Sequence, residues 1–144
     1  MPLPSVFTLK LWRTQMNTSY ERPYRPVDLN TTLTKAFPFM SMAENLMEEA
    51  EFATSGRASL TLARGDELTL VLIVMKAGTT LDEHSAPAAA VVVTLGGKII
   101  FTSSADKITL EQGDGVTFTS DILHSVHASE DSVFLIVIGG KVSH

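Results

Sequence analysis

From residue 57 onward the chain is written in short apolar runs separated by turn residues. "RASLTLAR" is followed by "GDE" and then by "LTLVLIVMKAG"; "AAAVVVTL" breaks at Gly96-Gly97 and leads into "KIIFT". "SSAD" separates that run from "KITLEQ", "GDG" precedes "VTFTS", and "HASEDS" precedes "VFLIVIGG". β-Branched and aromatic residues fill runs of strand length, and Gly, Asp and Ser punctuate them. The Gly96-Gly97 pair is a hairpin signal. About eight short strands with regular turn signals and no intervening helix predict an all-β, antiparallel sandwich or barrel.

Several of these strands are apolar on both faces. In "LTLVLIVM" one set is Leu68, Leu70, Leu72 and Val74, the other Thr69, Val71, Ile73 and Met75. "VFLIVI" contains no polar residue at all. An antiparallel strand with one wet face alternates, so both faces here must be covered. The N-terminal part of the chain can do this, or a second subunit; a homodimer is the economical expectation.

The N-terminal region differs from the rest. "NTSYERPYRPVDLNTT" is polar, and Pro23 and Pro26 exclude regular helix, so residues 1–40 read as an extended arm. Met16 is a candidate start codon within it. Residues 41–52, "SMAENLMEEAEF", predict one short helix. Ser41 is placed to cap it, Glu44 follows three residues later as in a capping box, and Leu46, Met47 and Phe52 can cluster to one side. Residues 41–144 are therefore expected to form a single domain.

Composition narrows the partners. The chain has 144 residues, 44% hydrophobic and 19% charged, with a formal net charge of −5. Eleven Lys and Arg against 16 Asp and Glu, with no basic run, argue against nucleic acid. The absence of cysteine excludes disulfides and thiolate zinc sites. The longest apolar run is one strand long, which argues against a bilayer span. The N-terminus lacks the charge, apolar run and cleavage site of a secretory signal in that order, so a soluble, cytoplasmic protein is expected.

The candidate chemistry lies in four histidines, His84, His127, His124 and the terminal His144. His84 follows "AGTTLDE" and is expected to open a strand; His124 follows "GDGVTFTSDIL" and opens or lies in another. The two are 40 residues apart, each shortly after a glycine-marked turn, as two adjacent strands need to aim both rings into one cavity. Gly78, His84, Ala86, Ala90 and Gly97 also fall, in register, on the positions of a Gly, five residues, His-x-His, three or four residues, Glu, six residues, Gly pattern. Gly113, Thr119, Asp121, His124 and Ala128 fall without a gap on a Gly, five residues, Pro-x-Gly, two residues, His, three residues, Asn pattern. In these two motifs, over about residues 57–140, the chain resembles the cupin superfamily. The resemblance implies a jelly-roll antiparallel β-barrel with the short helix and arm packed outside.

Cupins hold their metal through the two His and the Glu of the first motif and the His of the second. Here His84 and His124 remain, while Ala86 and Ala90 stand at the other two positions. Two imidazoles can bind a divalent ion, but three protein ligands are the usual minimum for a catalytic site. Strand parity places Asp82 on the same face as His84, which makes it a candidate third ligand, and gives His127 the wrong parity relative to His124. The resemblance therefore leaves two cofactor readings, none or one divalent transition metal (iron, manganese, zinc, nickel or copper).

Three functions follow from it. The first is binding of a small, mostly apolar ligand in an alanine-lined cavity, with His84, Ala86, Ala90, Thr119 and His124 as the pocket. The second is a metal-dependent enzyme of dioxygenase or isomerase type on His84 and His124. The third is metal-free acid–base chemistry by one imidazole. Each histidine also has a purely structural reading as a buried polar residue bonded to its neighbours. No Walker loop, HExxH or dinucleotide fingerprint competes.

Overall fold

The computed structural model describes residues 26–29 and 34–140. In chain order the elements are β1 (Val27–Asp28), α1 (Phe39–Met47), α2 (Ala50–Ser55), β2 (Arg57–Arg64), β3 (Leu68–Met75), β4 (Thr80–His84), β5 (Ala90–Gly96), β6 (Lys98–Ser103), β7 (Lys107–Glu111), β8 (Gly115–Phe118), β9 (His124–Ala128) and β10 (Ser132–Gly139). The last eight strands pair as one long hairpin folded over on itself. β6 pairs with β7, β5 with β8, β4 with β9 and β3 with β10, all antiparallel. Winding that hairpin gives two sheets, β1-β2-β3-β10-β5-β8 and β4-β9-β6-β7. This nesting is the expected jelly-roll arrangement. The two sheets face each other without closing into one continuous ladder, so the barrel is a double sheet with open seams.

Each face of the apolar strands has its own partner layer. In β3, Leu72 and Val74 join β2's Ala58 and Leu60 and β10's Val133 and Leu135 in an outer core. Cross-strand pairing lines them up in rows, with Leu72 opposite both Leu60 and Leu135, and Val74 opposite both Ala58 and Val133. The alternate residues, Ile73 and Met75 of β3 and Phe134 of β10, turn into the space between the sheets, where Val92, Ile99, Phe101, Leu110, Phe118 and Val126 meet them. The six-stranded sheet is thus the middle of three layers, buried on both sides where the helices cover it.

That covering layer is α1 and α2. Met42, Ala43, Leu46, Met47 and Phe52 all pack into the outer core. The outer face of β2, β3 and β10 is therefore covered from within the chain at Leu60, Leu72, Val74, Val133 and Leu135, while Leu68, Leu70 and Val137 farther along the same face stay half-buried. The expected single helix over 41–52 is a pair. α1 starts two residues earlier, with Pro38 at its N-cap position and no side-chain cap bond, so Ser41 sits inside the helix rather than capping it. The chain breaks at Glu48 and Glu49, the latter extended at φ −73° and ψ 148°. In one unbroken helix, at about 100° per residue, Phe52 would point about 120° away from Leu46. The break lets both reach the same core.

Of the expected N-terminal arm, Val27 and Asp28 lie in parallel register beside Ala63 and Arg64 at the edge of β2, and α1 begins at Phe39. Met16, Pro23 and the terminal His144 lie outside the described residues. No helix among the described residues is long and apolar enough to cross a membrane.

Candidate functional site

The site is built where β4 and β9 pair at one end of the four-stranded sheet. Thr80 stands opposite His127, Leu81 opposite Val126, and His84 opposite His124. Between the last two pairs β4 spends three steps and β9 two, so one extra residue is accommodated on β4. His84 closes its strand rather than opening it; His124 opens its own.

This irregularity decides the fate of Asp82. In a regular strand Leu81 and His84 would face opposite sides. With the extra residue both turn inward, Leu81 against the inner core and His84 against the His124 ring. Asp82 and Glu83 are left exposed. It is the Asp82 backbone carbonyl, not its carboxylate, that meets His84, accepting from Nδ1 at 2.7 Å. Asp82 is therefore not the third ligand that regular strand parity makes of it.

The two imidazoles lie 4.2 Å apart, centroid to centroid, inclined by 60°. His124 is 2% exposed. Its ring stacks on Phe101 at 5.1 Å and 17°, and tilts against Phe118 at 4.4 Å and 51°. Phe101 comes from β6 and Phe118 from β8 of the opposite sheet, so the ring is held between the layers. His124 Nδ1 donates to the Ile122 carbonyl at 3.2 Å. Because a carbonyl only accepts, Nδ1 carries the hydrogen in both rings, and each neutral ring keeps its Nε2 lone pair. Burial pushes the His124 pKa below its usual 6.5; the Ile122 carbonyl opposes this, and the neighbouring His84 adds to it. His124 is thus held neutral, as an acceptor through Nε2.

The other expected pocket residues are only partly assembled here. Ala86 is half-buried against the inner core, and Ala90, 5% exposed, lies within it opposite Phe118. Thr119 is exposed, and its backbone carbonyl accepts from Ile122 in the turn leading to His124, at 3.3 Å. His127 points to the other side of its sheet, where Nδ1 meets Thr80 Oγ1 at 2.8 Å. The aromatic partners Phe101 and Phe118 are absent from the residues that the sequence pattern singles out. Phe118 sits one residue before Thr119 of the second motif, which is the only local signal for it.

A metal is the group the motif pattern implies. Among the described residues no three His, Cys, Asp or Glu side chains come together as a metal set. His84 and His124 offer two Nε2 donors and no carboxylate joins them, one short of a catalytic set. The described residues therefore supply two of the ligands a resident catalytic metal takes, one fewer than the usual set.

No protein-family profile matches the chain. No curated protein matches it either. Solved structures do. A conserved protein of unknown function from Streptococcus pyogenes superposes with a TM-score of 0.63 at 20% identity, over 81% of this chain and 96% of that one. An RmlC-like cupin from Desulfovibrio desulfuricans gives 0.58 at 23% identity, over 66% and 92%. Salicylate 1,2-dioxygenase from Pseudoaminobacter salicylatoxidans gives 0.55 at 16% identity, over 58% of this chain and 25% of the enzyme. Together with the nested strand pairs and the opposed histidines, these likenesses establish that the chain has the cupin fold.

Proposed function

We propose that this protein binds a small, mostly apolar molecule at the inner end of β4 and β9, with the His84–His124 pair as its polar recognition centre. The observation that carries the reading is the pair itself. Two rings 4.2 Å apart, each pinned through Nδ1 to a backbone carbonyl, leave Nε2 as the acceptor of each neutral ring. Such a pair suits a ligand hydroxyl or amine that donates, while Leu81, Ala86 and Ile122, all half-buried against the inner core, suit an apolar body. Preorganised acceptors of this kind fix a ligand's orientation at little entropic cost.

A metal-dependent enzyme of dioxygenase or isomerase type is the second reading, and the two free Nε2 lone pairs are what favour it. Its donor set is one ligand short of a catalytic site. The ligand reading is tested by following the imidazole Cε1–H resonances while small alcohols and amines with apolar bodies are titrated. Shifts of both rings in the parent, with the His124 shift lost in His84→Ala, support it. Stoichiometric uptake of iron, manganese, zinc, nickel or copper, lost in the same variant, would replace it with the second.

A further inference from the structure

A different cavity opens at the seam between β2 and β4, where the two sheets fail to close. Its volume is about 160 Å³, and neither His84 nor His124 lines it. The floor is apolar, with Ile73 and Met75 of β3 and Leu81 of β4. Met75 is fully buried and Ile73 nearly so. The rim is polar, with Arg57 and Ser59 from β2 and Glu51 from α2.

Arg57 is the informative residue. It is half-buried, and one guanidinium nitrogen is positioned by the Thr80 carbonyl at 3.5 Å. Among the described residues no carboxylate pairs with it, whereas Lys98 meets Glu111 at 3.4 Å. Glu51 shares the rim without reaching Arg57, and it is exposed, so solvent weakens its field more than that of Arg57. A guanidinium with donors to spare, on a half-buried residue at the mouth of an apolar cavity, matches a carboxylate, which its planar fork can take up in two parallel bonds. Cavities of about 150 Å³ lined by aliphatic side chains hold a molecule the size of benzene. The negative rim charge of Glu51 disfavours a second negative charge on the ligand.

We propose that the seam pocket binds a small monocarboxylate with an apolar body the size of one aromatic ring or a short alkyl chain. The carboxylate sits on Arg57 and the body on Ile73, Met75 and Leu81. Leu81 borders both sites, but neither histidine lines this one, and it does not depend on the function proposed for the pair.

The test is calorimetric titration of the full chain with benzoate and hexanoate, and with the neutral analogues benzamide and hexanol. The carboxylates are expected to bind about tenfold or more tightly than their neutral analogues, which is the loss of one charge-assisted bidentate contact. Arg57→Gln, checked for folding by its thermal transition, should remove that preference, and His84→Ala should leave it intact. Failure of both carboxylates to bind at about 10 mM, well above a millimolar dissociation constant, would overturn the proposal. So would equal binding of benzoate and benzamide by the parent protein, a comparison that needs no variant. Loss of carboxylate binding in His84→Ala would place the ligand at the histidine pair instead, and would equally refute the seam site.

Discussion

His84 and His124 stand directly opposite each other across the β4–β9 pair, with ring centroids 4.2 Å apart, although β4 carries one residue more than β9 in the preceding step. The extra residue is what brings His84 inward, and the inward position is what places one imidazole beside another. Protonating His124 would put a cation in a buried aromatic slot next to a second titratable ring. Its pKa is accordingly lowered, by burial first, with the His84 charge adding and the Ile122 carbonyl opposing.

The sign of the stability effect follows. Between the lowered folded-state pKa and the ordinary 6.5, the unfolded chain binds more protons than the folded one. Stability then rises with pH in that window. The contribution of His124 is complete above 6.5 and is lost as pH falls below it. Chemical denaturation at about pH 7.5 and about pH 5.5, on either side of the ordinary imidazole value, should show lower stability at the acid end. His124→Phe, whose ring fits between Phe101 and Phe118, should show a smaller drop. An equal drop in the two proteins would assign the effect to other groups.

Phe118 should control that pKa. Its ring contacts His124 at 4.4 Å and is itself only 9% exposed. Phe118→Leu keeps an apolar side chain but removes the ring, and water gains access to the imidazole. Since burial is the largest cause of the depression, the His124 pKa should move up toward 6.5. An NMR titration of the His124 Cε1–H reads this directly. The same change should cost on the order of 1–2 kcal/mol, below the roughly 3–5 kcal/mol of a full Phe→Ala truncation. An unchanged titration midpoint would mean that Phe118 does not shield the ring.

Much of this arrangement is legible in the amino-acid sequence. The runs that form β2, β3, β6 and β10 are readable as strands, because β-branched residues and turn residues alternate there over short range. The 40-residue spacing between His84 and His124 does correspond to adjacent strands in register. What is not legible depends on a partner strand or on distant packing. Parity counting assumes an uninterrupted strand, so it puts Asp82 beside His84; the extra residue that reverses this exists only relative to β9. Ser41 and Glu44 have the spacing of a capping box, but Phe37 and Pro38 carry the chain into the helix two residues earlier, where Phe39 and Met40 also pack on the outer core. The Phe101 and Phe118 contacts and the Arg57 pocket each join segments far apart in sequence, and no local pattern encodes them.

The β5–β6 hairpin offers a cleaner test of a sequence signal. Gly97 has φ +80°, and a Cβ there would run into the Asp131 carbonyl and the Ser132 side chain, with Ser132 Cα at 2.7 Å. Gly113 has φ +92° but open space around it. Gly113→Ala should cost only the left-handed backbone penalty, about 1–2 kcal/mol. Gly97→Ala should cost clearly more, because the backbone of the β9–β10 turn must also move. Urea denaturation of both variants gives the comparison, and equal losses would mean the hairpin relaxes without strain.

The last prediction concerns which part of the chain covers the six-stranded sheet. Leu46 is 1% exposed and lies in the outer core with Leu60, Leu72 and Leu135, whereas Ser41 sits within α1 and makes no cap bond. Truncating a side chain as buried as Leu46 typically costs about 2–5 kcal/mol. Loss of a true N-cap costs about 1 kcal/mol, while a surface-like position inside a helix costs under about 0.5 kcal/mol. Leu46→Ala should therefore lower the unfolding midpoint strongly, and Ser41→Ala should leave it nearly unchanged. If the helices alone cover this face, the loss in Leu46→Ala does not depend on protein concentration, since no association equilibrium is being broken. Thermal unfolding of parent and variant at two widely separated concentrations distinguishes the cases. A midpoint that climbs with concentration in the parent would show that a second copy contributes to the cover, and the homodimer expected from the two-faced strands would then have its physical reason.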